Sequence, residues 1–182
     1  MNGKLHSADL PANDRIRVRH AQPADAEALA DVLIDCVEGG ASVSFMHPLP
    51  RAKALGFWQE ALASAERGER IVLVAEDASS AAIAGTVQIV LNAPENQPHC
   101  AEVAKTLVHR NARRRGVGEA LMRAVETAAR ETGKTLLVLD TVTAAMVNGF
   151  TRALAGNAAV KFRIMRSGRA ADCAARPCSI GA

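Results

Sequence analysis

The densest run of potential chemistry in this chain is Arg113-Arg114-Arg115-Gly116-Val117-Gly118-Glu119-Ala120. It follows an apolar run at 103–108 and opens a stretch of helical periodicity. A strand, a short glycine turn and a helix, in that order, present a row of backbone N–H groups at a helix N-terminus, where a phosphate can sit. Gly116 and Gly118 keep Cβ atoms out of the anion's way, and the arginines add positive charge. Two carboxylates mark the strands on either side of this helix: Glu102 begins the strand before it and Asp140 ends the strand after it. Each could attract an ammonium and accept its proton, directly or through water. Glu102 reads equally well as a solvated strand-end charge, and Asp140 slightly less well as a helix cap. In parallel neighbours the two would lie at opposite strand ends, so their contact is not assumed. His109 is a tempting base, but a histidine at a strand end is more often satisfied structurally.

The glycine turn departs from two familiar phosphate binders. A dinucleotide fold needs a third glycine, where this chain has Leu121. A nucleoside-triphosphate loop needs Gly-Lys-Ser/Thr, which is absent.

Eight elements must position these groups. Residues 16–20 alternate as a strand, and a helix starts at Pro23-Ala24-Asp25 and ends at Gly39-Gly40. Residues 41–49 form an irregular, partly apolar connection in which Ser42, Ser44, Phe45 and Met46 could wall a pocket. Phe45 and Met46 read equally as cover for the core. A second helix spans 50–66 and carries Trp58, which reads as core. Strands follow at 71–75, 82–91 and 102–109, with Gly85 marking a bulge or a close approach. The helix at 116–132 comes next, then a fifth strand at 136–140, apolar enough to be central. The order β-α-α-β-β-β-α-β specifies an α/β chain with a mixed sheet.

At 182 residues the chain suits one domain with a substantial core. Residues 1–14 read as a flexible polar segment with no long apolar run, which argues against a signal peptide, a membrane span or a membrane partner. Four cysteines (Cys36, Cys100, Cys173, Cys178) lack metal-type spacing, so no metal is expected, and a reducing cytoplasm is the simplest compartment. Cys36 reads as core and Cys100 as exposed. The formal charge of +3 conceals an asymmetry: residues 144–182 hold six basic side chains against Asp172, a net of +5. Without interleaved aromatics beyond Phe162, nucleic acid is not the expected partner.

Arg113-x-x-Gly116-x-Gly118, set between a strand and an amphipathic helix, resembles the acetyl-CoA pyrophosphate loop of the Gcn5-related N-acetyltransferase (GNAT) family, and the element order over residues 15–143 is similar too. Within it the chain looks most like the tabtoxin-resistance branch, through Gly39-Gly40-Ala41-Ser42-Val43-Ser44-Phe45-Met46, Ala101-Glu102-Val103, Arg115-Gly116-Val117-Gly118 and Leu136-Leu137-Val138-Leu139-Asp140-Thr141. The resemblance implies an enzyme that moves acetyl from acetyl-CoA to an amine of a small molecule, a toxin or an antibiotic. A non-catalytic acyl-CoA-binding module and a protein or peptide acetyltransferase are its rivals. Main-chain groups of Leu107, Val108 and His109 would pair with the pantetheine arm, with Val108 or His109 donating to the oxyanion. Amides of Arg113, Arg114, Arg115, Gly116, Val117, Gly118, Glu119 and Ala120 would grip the pyrophosphate. Glu102 and Asp140 match acidic positions of that branch. A homodimer is compatible with this reading.

The family continues past its fifth strand with a helix bearing a tyrosine that protonates the departing thiolate, then two more strands. Residues 144–182 contain no tyrosine, and the whole chain has none. Read one base earlier, so that each codon takes the third base of one triplet and the first two of the next, codons 145–155 allow with permissible third bases Asp-Gly-Glu-Arg-Leu-Tyr-Ala-Arg-Ala-Gly, and the next codons allow Trp-Gln-Arg-Cys-Gly-Glu-Ile-Pro-Asp-Tyr-Ala. The expectation is a frameshift close to Thr143, a domain lacking its last two strands, and an uncovered edge on the fifth strand.

Overall fold

The computed structural model describes residues 15–41, 43–92, 96–141 and 159–164, with 140–141 and 159–164 as backbone only. The flexible segment expected at 1–14, Ser42, and nearly all of the tail at 144–182 lie outside the described residues. Strands β1 (Ile16–His20), β2 (Arg70–Asp77), β3 (Ile83–Val90), β4 (Cys100–Val108), β5 (Leu136–Thr141) and β6 (Ala159–Ile164) form one sheet in that order. The first three pairings are antiparallel; β4–β5 and β5–β6 are parallel. Helices α1 (Ala26–Glu38), α2 (Arg51–Glu66) and α3 (Val117–Glu131) complete the domain. The eight expected elements are present within about two residues at each end, except that α1 begins at Ala26, after a 3-10 turn over Pro23–Asp25.

Alternation along the strands divides the core into two layers. Leu73 and Ala75 face α3, whose Val117, Leu121, Met122, Val125 and Ala129 recur at helical spacing and are buried. Val72 and Val74 face α1 and α2, where Leu29, Leu33 and the fully buried Trp58 pack. Gly85 is the close approach expected of it. A Cβ there would lie 2.7 Å from the Leu107 carbonyl oxygen and 2.9 Å from Val117 Cγ1, so its absence lets α3 dock where β3 meets β4.

Two expectations change. The outer edge of β5 is covered, because β6 runs beside it with Leu136 opposite Ala159 and Thr141 opposite Ile164. The run Ala-Val-Lys-Phe-Arg-Ile has enough β-branched and aromatic residues to pair there, whatever frame encodes it. Cys100, expected at the surface, is buried at the start of β4, where its amide donates to the Gln97 carbonyl at 3.0 Å and β5 pairs alongside with Leu136 opposite.

Candidate functional site

The site is organised by a fault in the sheet. β4 pairs with β5 only over Cys100–Val103, although β4 runs on to Val108 and β5 to Thr141. The cause is an extra residue in β4: Thr86 faces Leu107 but Gln88 faces Ala104, so Lys105 and Thr106 together oppose Val87. Lys105 takes a left-handed φ of 49° at this bulge. Face parity then flips. Ala101 and Val103 point to α3 before the bulge, and Leu107 points to α1 and α2 after it.

Past the bulge, the N–H of His109 donates to the Ala84 carbonyl at 3.0 Å. Antiparallel ladders exchange bonds at alternate residues, so the intervening Val108 turns its N–H and C=O to the edge that β5 has left. Of the three residues whose main-chain groups were expected to pair with the pantetheine arm, Val108 carries the outward pair, while Leu107 and His109 are turned toward β3. The same bond takes the His109 amide out of consideration as an oxyanion donor.

From Val108 the chain passes through a 3-10 turn (Arg110–Ala112) to the N-terminus of α3. Gly116 caps the helix at φ 83°, and Arg114 is also left-handed at φ 60°. Ala120 closes the first helical turn onto the Gly116 carbonyl at 3.0 Å, and Arg113 donates to the Arg110 carbonyl at 3.4 Å. Those two amides are engaged. The N–H groups of Gly116, Val117, Gly118 and Glu119 are the helix-start donors that no intrahelical carbonyl can reach. A Cβ placed on Gly116 or Gly118 meets nothing within 4 Å, so the cradle is open above both. A cleft of about 380 Å³ lies over it, lined by Arg15, Arg114, Arg115, Gly116, Glu119 and Ala120 among others.

The turn is tied from both sides. Asp35, buried on α1, accepts from the Arg110 amide at 2.8 Å and from its guanidinium, which also reaches Glu38 at 2.9 Å. Burial pushes the Asp35 carboxyl up, but these bonds outweigh it and hold it below its ordinary range. Arg115 bonds Asp77 at 2.6 Å. The Ser79 hydroxyl and amide, with Arg115, bring the Asp77 carboxyl down to about 2. His109 is employed structurally. Its Nδ1 accepts from the Asn111 amide at 3.2 Å and its Nε2 lies 3.5 Å from Asp35.

On the α1–α2 side of the bulge the chemistry is carried by side chains. Glu102 is exposed, and among the described residues none donates a hydrogen bond to its carboxylate. Its neighbour across the parallel ladder is Val138, two residues before Asp140. Glu102 and Asp140 therefore sit on adjacent strands, two register positions apart rather than at remote ends; the strand offset that achieves this is set by the ladder. The Asp140 side chain is outside the description. Phe45 packs on the core and stacks edge-on with Phe57 at 5.2 Å, and Phe57 does so with Trp58 at 5.1 Å. Met46 does not cover the core: it is 85% exposed. Ser44 is placed by Lys105, whose ammonium lies 3.4 Å from its hydroxyl and donates to the Val43 carbonyl at 3.0 Å.

Lys105 is the site residue that sequence reasoning missed. Its position in an alternating strand gave it no distinction; only the bulge turns it toward the 43–46 loop. Cys36 is core, as expected: burial raises its thiol pKa, and the thiol donates weakly to the Val108 carbonyl at 3.6 Å. Among the described residues no cluster of metal ligands occurs, and no helix is long and apolar enough to cross a membrane.

Comparison with known proteins bears on this geometry. Residues 31–148 match the model of the acetyltransferase (GNAT) family. The ribosomal-protein-alanine N-acetyltransferase of Brucella melitensis superposes with a TM-score of 0.64 at 26% identity, over 75% of this chain and 82% of that one. The Salmonella typhimurium protein yncA, solved with its cofactor acetyl-CoA, gives 0.62 at 20% identity, over 77% and 78%. An N-acetyltransferase of Staphylococcus aureus gives 0.61 at 17%, over 75% and 81%. At 17% and 20% the likeness is one of fold alone.

Proposed function

The chain belongs to the acetyltransferase (GNAT) family, whose members use acetyl-CoA as co-substrate, and from that premise we propose that it moves acetyl from acetyl-CoA to an amine of a small molecule. One observation carries the reading: the strand fault that turns Val108 outward leads directly to the open amides at Gly116–Glu119. A thioester arm laid beside β4 would put its diphosphate over the start of α3, where the helix dipole and free N–H groups favour an anion. Acetyl-CoA supplies the acyl group as an activated thioester. Val108 N–H is the oxyanion donor, aimed where negative charge develops. Glu102 or Asp140 takes the proton from the incoming ammonium or from the nitrogen as it attacks. The C–N bond forms, the C–S bond breaks, and the thiolate leaves to be protonated.

The finer likeness to the tabtoxin-resistance branch is part of this proposal, as is the frameshift near Thr143. With no tyrosine in the chain, the thiolate's proton must come from elsewhere, which also favours a second reading: a module that binds acetyl-CoA but turns over slowly. Thiol release with acetyl-CoA and a panel of small amines and peptides separates these. Release with small amines is expected. Binding by calorimetry without release on any amine would overturn transfer in favour of the module, and release with peptides alone would favour a peptide acceptor. The gene's third bases around codon 143 decide the frame.

A further inference from the structure

A second cleft, of about 460 Å³, lies at the end of β1 away from the cradle: Ile16 lines the cleft over α3 and His20 lines this one. Its walls come from both faces of the sheet. Leu62, Ala65 and Glu66 of α2 stand on one side, and Ile71, Leu91 and Thr132, toward α3, on the other. A space that spans both faces is the space of a missing strand, and the main chain shows why it is missing. At the end of β1 the Ala21 amide donates to the Val72 carbonyl at 2.8 Å. Continued by two residues, that register would set Pro23 opposite Arg70. Proline has no N–H to donate, and here it starts the 3-10 turn Pro23–Asp25 that leads into α1. On the other edge of β2 the Leu91 amide donates to the Glu69 carbonyl at 2.9 Å. Antiparallel ladders alternate, so Glu69 and Ile71 face β3, and Arg70 turns its N–H and C=O into the cleft.

The charges of the cleft are unequally matched. The Arg70 guanidinium donates to the Ser64 hydroxyl at 2.9 Å and to the Gln88 side-chain oxygen at 3.0 Å, and Ser64 donates in turn to the Glu69 carboxylate at 2.6 Å. Arg70 is thereby answered. Lys134 spends its ammonium on the Leu91 and Pro98 carbonyls and does not line the cleft. Glu66 is exposed, and among the described residues its carboxylate has no partner. It ends α2, whose C-terminal dipole adds to its negative field.

We propose that this cleft docks an extended segment of a partner protein, which continues the sheet beyond β1 and carries a lysine or arginine between apolar residues. The residue paired with Arg70 shares its face of the sheet. There a basic side chain lays its stem on Leu62 and Ala65 and brings its charge to Glu66. Its two neighbours turn to the other face, against Ile71 and Leu91. The site stands apart from the cradle and does not depend on acetyl transfer.

The test follows amide chemical shifts of the full-length protein, without acetyl-CoA, as acetyl-Val-Lys-Val-Lys-Val-amide is added. Saturable shifts are expected at Arg70, Ile71 and Leu91. The same peptide with glutamate in place of lysine should bind about tenfold more weakly. Glu66→Gln, a change at an exposed position, should weaken the lysine peptide about threefold. Hexylamine, which has a cation and an apolar chain but no peptide groups, should leave the Arg70 amide unmoved. The proposal is overturned if the lysine peptide does not move Arg70, if both peptides bind equally, or if Glu66→Gln changes nothing. It is also overturned if hexylamine saturates the same shifts, which would make the cleft a pocket for small cations.

Discussion

The two sides of the β4 bulge solve different problems with different materials. Toward α3, the recognition we propose is by main chain: one outward amide at Val108 and a run of helix-start N–H groups, held by the Asp35–Arg110 and Asp77–Arg115 ties and by the contact at Gly85. Toward α2 it is by side chains: Glu102, the Lys105 ammonium and an aromatic row, with Met46 exposed at its rim. Main-chain recognition tolerates sequence change but demands backbone geometry. Side-chain recognition changes its preference with one substitution. An invariant cofactor suits the first arrangement, and a variable acceptor the second.

Substitutions can break this contrast, in descending order of effect. Glu102→Gln and Asp140→Asn should separate the halves most sharply. Whichever carboxylate takes the proton loses about a hundredfold or more in kcat, with acetyl-CoA affinity by calorimetry unchanged. If neither variant falls by tenfold, the acceptor side has no carboxylate base. Gly85→Val tests the cofactor side. Forcing methyls into the gap shared by the Leu107 carbonyl and Val117 should cost about 3 kcal/mol of stability, read from a urea unfolding midpoint. A midpoint like that of the wild type would mean α3 docks without needing the gap.

Gly116→Ala probes the same region more gently. A Cβ has room there, so only the left-handed φ of 83° opposes it, at about 1 kcal/mol. Acetyl-CoA affinity should drop severalfold while the KM for the acceptor amine stays fixed; a changed acceptor KM would show that the two sides are not independent. The smallest effect is on acid stability. Asp77 sits at about 2 when folded against 3.8 as an ordinary carboxyl. Its lowered pKa stabilises the fold above about pH 4, and that contribution disappears as pH falls toward 2. The difference in Tm between the wild type and Asp77→Asn should therefore shrink across that window; a pH-independent difference would mean that the Ser79 and Arg115 bonds do not favour the charged carboxylate.

The same contrast explains what could be read from the sequence. The α3 turn was legible because its devices are local: Gly116 beside Gly118, basic residues before, apolar residues at helical spacing after. Gly85 was legible because glycine inside a strand pattern needs a packing reason, which Leu107 and Val117 supply. The bulge was not. Ala101, Val103, Leu107 and Val108 are apolar on both parities, so nothing in the run reveals where the faces switch. Without the switch, Lys105 reads as an ordinary strand lysine and Val108 as one of three equivalent residues. The Glu102–Asp140 relation was hidden for a related reason, since the offset between parallel strands is fixed by pairing rather than by either strand's composition. β6 was not legible because the family pattern calls for a tyrosine helix and two further strands there, whereas a six-residue stretch with Val160, Phe162 and Ile164 alternating with charged residues needs only a free edge.

The central claim is that main-chain amides beside Gly116 and Gly118, with Val108, hold the cofactor. Amide chemical shifts followed while acetyl-CoA is added test it most directly. Large, saturable shifts should appear at Val108 and at Gly116, Val117, Gly118 and Glu119, and pantetheine alone should move Val108 but not the glycine turn. Saturation with the turn's amides unmoved would contradict it.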